Sequence, residues 1–157
     1  MTNNDILRRL RYAFDLSDAG MIAIFALAAH EVTREQISAW LKKDEDPAFQ
    51  ECRDVQLATF LNGFIIDRRG KKEGVQPTPE QRLTNNLVFR KLKIALELKD
   101  DDILELMALA GMCIGKHELS AFFRNTEHKH YRECQDQVLR KFLKGIQLKY
   151  RDNLCDN

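Results

Sequence analysis

Apolar residues recur at helical spacing along almost the whole chain, and no segment alternates strictly between apolar and polar positions. Ile6, Leu7, Leu10, Ala13 and Phe14 predict a first helix from about Asp5 to Asp15, with Asn4 as its N-cap. Val88, Phe89, Leu92, Ala95 and Leu96 repeat that pattern, with Asn86 as the cap. A second helix is expected after the capping residues Asp18 and Asp100. In "MIAIFALAA" it is apolar nearly all round, which predicts the central, most buried helix. A third starts at Thr33 or Gly115, with Gln36 or Glu118 at capping-box spacing. Its Ile37, Trp40 and Leu41 match Leu119, Phe122 and Phe123. A fourth is predicted over residues 47–69 and 129–151.

The pairing of these patterns is a duplication. With an offset of 84 − 2 = 82, residues 2–69 align without a gap on 84–151, and 22 of those 68 positions are identical. That is far above what unrelated segments share. "GKKEGVQPTPEQR" between the copies holds two of the three prolines and two glycines, and reads as a linker. The expected organisation is a first repeat over 1–69, a linker over 70–83, a second repeat over 84–151 and a loose tail over 152–157. A unit of about 70 residues is marginal alone. The expected fold is therefore all-α: a tandem duplication of a four-helix unit, packed around a pseudo-two-fold axis as one globular body.

The repeat layout, the joint "RRGKKEGVQPTPEQRLTNNLVFRKLKIAL" and the stretch "KHELSAFFRNTEHKHYRECQDQVLRKFLKGIQLKYR" together resemble the YehS-like family, a bacterial domain of unknown function. The resemblance spans nearly the whole chain. It implies a bacterial cytosolic protein with two copies of that domain, and brings no activity, ligand or catalytic residue.

Composition adds little to this picture and excludes some alternatives. A net charge of +1 makes the whole molecule no electrostatic magnet for nucleic acid or membrane. The longest apolar run, Gly20 to Ala29, is far shorter than a membrane span, and the N-terminus lacks a signal-peptide core. Four cysteines (Cys52, Cys113, Cys134 and Cys155) without a secretory signal fit a reducing cytosol.

Four features carry candidate chemistry. The first is "ECRD", Glu51 to Asp54, repeated as "ECQD", Glu133 to Asp136. On a continuous helix, with Leu139 at zero, Cys134 falls near about 220° at the edge of the apolar arc, and Asp136 near about 60°. Thiol and carboxylates then point apart, and the cysteine reads as a packing residue. A functional reading of the motif needs the helix to begin instead at Asp54 or Asp136, which would leave the cysteine in a turn. The second is "HKHYREC": His130 and Cys134 at i and i+4 have the spacing of a zinc-ligand pair or of a base beside a thiol, with His117 and Cys113 in the same copy. No CxxC or HExxH accompanies them, so no metal or other cofactor is expected. The third is charge: residues 116–151 carry 9 − 4 = +5, and their twins at 34–69 carry 6 − 7 = −1. Arg124, His128, Lys129, Arg132, Arg140, Lys141 and Lys144, with Tyr131 as an aromatic, could form a binding patch. The fourth is a helix-turn-helix rhythm at Val32, Ile37 and Trp40, weakened by Glu31 and Cys113 where the turn wants glycine and by Leu27 and Leu109 where a small residue is needed.

No phosphate loop, GxSxG or catalytic carboxylate pair is recognisable. The expectation is a cytoplasmic, non-enzymatic binding or regulatory module that meets a protein partner through its second repeat. The alternative is a nucleic-acid-associated protein using the basic face of residues 116–151. A more distant one is an enzyme or metal site built on His130 and Cys134.

Overall fold

The computed structural model describes residues 1–152, so most of the expected tail, with Cys155, lies outside the described residues. Among the described residues every regular element is a helix. The order is α1 (Asn3–Ala13), α2 (Asp18–Leu27), α3 (Arg34–Leu41), α4 (Asp54–Arg69), α5 (Asn85–Ala95), α6 (Asp100–Leu109), α7 (Lys116–Phe122) and α8 (Asp136–Tyr150). Helices α1–α4 and α5–α8 are the two copies of one unit. The copies exchange contacts reciprocally: α4 packs on α5, and α8 packs back on α1. That exchange is the pseudo-two-fold arrangement, and one hydrophobic core runs through both copies.

The caps differ from expectation in an informative way. Thr2 and Thr84, not the asparagines, cap α1 and α5: their hydroxyls accept the N–H of Asp5 and Leu87. Ser17 caps α2 and Lys99 stands at the cap of α6, so Asp18 and Asp100 are first-turn residues. There they pair with Arg11 (2.8 Å) and Lys93 (3.2 Å), one ion pair per copy. Thr33 and Gln36 form the expected capping box of α3, and Gly115 caps α7 by position alone.

The central helix is α4 and not α2. Eight consecutive residues, Leu57 to Phe64, are buried. Helix α2 hides only Met21, Ile24 and Phe25, and leaves Leu27 at 40% exposure. An apolar composition says that a helix can be buried on all sides, and its neighbours decide whether it is. Helix α4 lies between α2 and α5. It crosses α2 at Gly63, and α8 crosses α6 at the twin Gly145. A Cβ at either site would run into a backbone carbonyl, of Ile24 or of Leu106.

The largest correction concerns the fourth helix of each copy, which starts at Asp54 and Asp136 and not near residues 47 and 129. The preceding segment, ending in "ECR" or "ECQ", is held open by two asparagines from the start of the same copy. Asn4 donates to Trp40 O and Gln50 O (both 2.9 Å) and accepts from Cys52 N (3.0 Å). Asn86 makes the same three bonds, to Phe122 O (3.0 Å), Arg132 O (2.8 Å) and Cys134 N (2.9 Å). The preceding asparagines, Asn3 and Asn85, donate to Cys52 O and Asp54 Oδ1, and to Cys134 O and Asp136 Oδ1.

The aspartate of the motif then reaches across the symmetry axis. Asp54 accepts the backbone N–H of Leu83, the last residue of the linker, at 2.9 Å. Asp136 accepts from the Met1 ammonium at 2.7 Å. That ammonium, and then the Asn85 amide, hold the Asp136 carboxyl below the usual carboxylate range. A matching exchange closes the other ends. Arg69 reaches Ile94 O (3.4 Å) and Glu97 (3.4 Å), and Arg151 reaches Tyr12 O (3.1 Å) and Asp15 (2.7 Å).

Candidate functional site

The repeated "ECxD" is thus a structural joint. Its cysteines lie outside any helix, as the turn alternative required, yet they are buried, with Cys52 at 1% and Cys134 at 4% exposure. Packing was the right reading, and its geometry is an extended segment pinned by asparagines, not a helical arc. Burial pushes both thiols up to about 12, with a further push from Asp54 and Asp136. A thiol held protonated at neutral pH is a poor nucleophile and a poor metal ligand. Because α8 begins only at Asp136, His130 and Cys134 do not share a helix face: His130 is exposed and Cys134 is buried. Among the described residues no three His, Cys, Asp or Glu side chains converge as a metal site would need. We expect a water-soluble thiol reagent to label exposed Cys113 in the native protein, while Cys52 and Cys134 react only after denaturant is added. Peptide mapping by mass spectrometry reads this directly, and fast native labelling of Cys134 would contradict its burial.

The remaining candidates divide into two groups. Arg124, Lys129, His130, Tyr131 and Arg132 line one open depression of about 330 Å³, with His117, Glu118 and Ala121 from α7. Helical spacing brings His117 and Ala121 to one side of α7, and Arg124 follows its end. Lys129, His130 and Arg132 are exposed, Tyr131 is half-buried, and Arg124 reaches toward His130 O at 3.5 Å. The sequence reading named His117 only as a neighbour of Cys113. Its i, i+4 relation to Ala121 was the available signal. Cys113 does not line the depression.

The floor of this depression depends on the asparagine joint, since Asn86 binds Arg132 O while the Arg132 N–H bonds Ala121 O (3.2 Å). The loop in front is turned by His128, whose Nδ1 accepts the His130 N–H at 3.0 Å. In the first copy Asp46 performs the same task for Ala48 at 2.8 Å. His128 is therefore a turn residue, and its ring lies 5.6 Å from that of His130. Around this common scaffold the chemistry differs. Position for position, the first copy has Glu35, Lys42, Pro47, Ala48, Phe49 and Gln50 where the second has His117, Arg124, Lys129, His130, Tyr131 and Arg132.

Arg140, Lys141 and Lys144 form the second group and do not line this depression. They stand on α8 where α4 has Ala58, Thr59 and Asn62, all buried. Much of the charge difference between the copies thus follows exposure: α4 is covered on this side, while Arg140 and Lys144 are in solvent.

Comparison with known proteins gives the same two-copy layout. A family model described as "Protein of unknown function (DUF1456)" matches twice, over residues 3–70 and 85–152. "Uncharacterized protein YehS" of Escherichia coli (strain K12) is 44% identical over 147 residues, covering 93% of this chain and 94% of that protein. No solved structure matches.

Proposed function

The chain belongs to the DUF1456 family, and from the geometry of its second repeat we propose that it is a non-enzymatic binding module that takes an acidic protein segment in the depression between α7 and the 123–135 loop. One observation carries the reading. The two copies share a scaffold down to individual hydrogen bonds, yet the second has gathered Arg124, Lys129, Arg132, His117 and His130 around Tyr131 at a place where the first is nearly neutral. Long basic side chains around one half-buried aromatic suit recognition of carboxylates beside an apolar contact. Glu118 on the rim favours a mixed peptide surface over a uniform polyphosphate. A bacterial cytoplasmic location accords with this reading. The free buried thiols support it.

Photo-crosslinking tests the proposal. Benzoylphenylalanine placed at Tyr131 should capture a defined protein in cells, and at the twin position Phe49 it should not. Adding Arg124→Glu and Arg132→Glu should abolish the adduct. A nuclease-sensitive adduct would transfer the site to nucleic acid, and equal capture at both positions would overturn the proposal.

A further inference from the structure

The pseudo-symmetry lets the surroundings of α4 and α8 be compared residue by residue. Along α4, Asp54, Ala58 and Asn62 are spaced i, i+4, i+8 and share a face. The linker lies against that face. Leu83 donates its N–H to Asp54 (2.9 Å), and Glu80 brings a carboxylate to 3.0 Å from Lys91 Nζ. Lys91 in turn donates to Asn62 Oδ1 at 2.6 Å. Lys91 is only 9% exposed, and it is tolerated there because a carboxylate and an amide oxygen both face its ammonium.

The equivalent face of α8 carries Asp136, Arg140 and Lys144, with Lys141 alongside, and Arg9 of α1 stands where Lys91 stands on α5. No described residue takes the part of the linker here. Arg140 and Lys144 are exposed, and Arg9 and Lys141 are half-buried. Among the described residues none of these four cations has a carboxylate within ion-pair distance. The face's own carboxylate, Asp136, already holds the Met1 ammonium and the Asn85 amide. Where the covered face sets one cation against one carboxylate, the open face holds two exposed and two half-buried cations with no described carboxylate within ion-pair distance.

We propose that the α1/α8 face is a docking site for an extended acidic segment of a partner protein, lying as the linker lies on the α4/α5 face. The linker shows the form of the occupant: an irregular, proline-containing stretch that presents a glutamate to the cation from the neighbouring copy. The four cations call for more than one carboxylate. This site is separate from the α7 depression and stands or falls independently of it.

Fluorescence anisotropy with a labelled decapeptide, its glutamates interspersed with prolines, tests the site on the whole chain. The peptide should bind at low salt and weaken steeply as salt is added. Arg140→Glu with Lys144→Glu should weaken it at least about tenfold. Lys144→Asn, which restores the first-copy residue, should weaken it less, and Lys43→Glu, on the exposed surface of the first copy away from both basic sites, should leave it unchanged. Both α8 positions are exposed, so unaltered circular dichroism and denaturation curves will show that the variants fold. Unchanged affinity in the double variant overturns the proposal. So does an equal loss with Lys43→Glu, or tighter binding of single-stranded DNA of equal charge through the same α8 residues.

Discussion

Gly63→Ala should destabilise the protein by about 3 kcal/mol or more, and Gly145→Ala should do the same in the second copy. The expectation rests on where the new methyl group would go. At Gly63 it would overlap the carbonyl oxygen of Ile24 and lie 2.9 Å from the carbonyl carbon. At Gly145 it would lie 2.7 Å from the carbonyl carbon of Leu106. A flexible side chain could swing away from such an intrusion. Backbone cannot, so whole helices must separate, and α2 from α4 or α6 from α8 would lose their close crossing. Gly20→Ala is the control. It lies within α2, its nearest foreign atom is Ser17 Oγ at 3.4 Å, and alanine is the better helix former. That substitution should be neutral or stabilising by up to about 1 kcal/mol. Urea denaturation of the three variants measures both signs. Similar midpoints for Gly63→Ala and Gly20→Ala would show that the crossing can relax.

Asn4→Ala and Asn86→Ala should each cost about 3–5 kcal/mol. Each removes a side chain from a closed set of three hydrogen bonds with two backbone carbonyls and one backbone N–H. Buried peptide groups left without partners cost about 1–3 kcal/mol apiece, and some will be rescued by water. Asn4→Asp should be no milder, because a carboxylate cannot donate to Trp40 O and Gln50 O. The effect has a local signature besides the loss of stability. With the clamp gone the segment before α4 opens, and Cys52 should become reactive to a thiol reagent under native conditions. A loss below about 1 kcal/mol, with Cys52 still protected, would mean that packing alone holds the segment.

These two residue types also show how far the sequence could be read. The duplication, the apolar faces of α1 and α5 and the capping box of α3 are local patterns, and local patterns are visible in a linear text. The start of α4 was not visible. Phe49, Cys52 and Leu57 are compatible with continued helical spacing. What keeps residues before Asp54 extended is Asn3 and Asn4, about fifty positions earlier. Periodicity carries no trace of a hydrogen bond made at that range. The identical "TNN" in both copies did carry one, since a residue used only as a cap would have tolerated serine or aspartate. Helix α2 failed for a related reason. Its composition was read correctly, but burial is shared between partners, and α4 holds the position between α2 and α5. For the candidate surface, charge counting pointed to the second copy without separating the α7 depression from the α8 face. Only the pseudo-symmetry, with the linker on one side, divides them.

The reciprocal joints tie the first residues to the last. Met1 is held by Asp136, and Tyr12 and Asp15 by Arg151. Seen from the ribosome, this order is demanding. Helix α1 can settle on α3 and α4 of its own copy, but its largest partner, α8, is made only after all the other helices, so that outer contact must wait. Helices α4 and α5 follow one another across the linker and can pair early. The molecule therefore has an inner seam that can form during synthesis and an outer seam that closes only at the end. The chain's connectivity also permits a partial opening: α1 and α8 can part at the outer seam while the linker still holds α4 to α5.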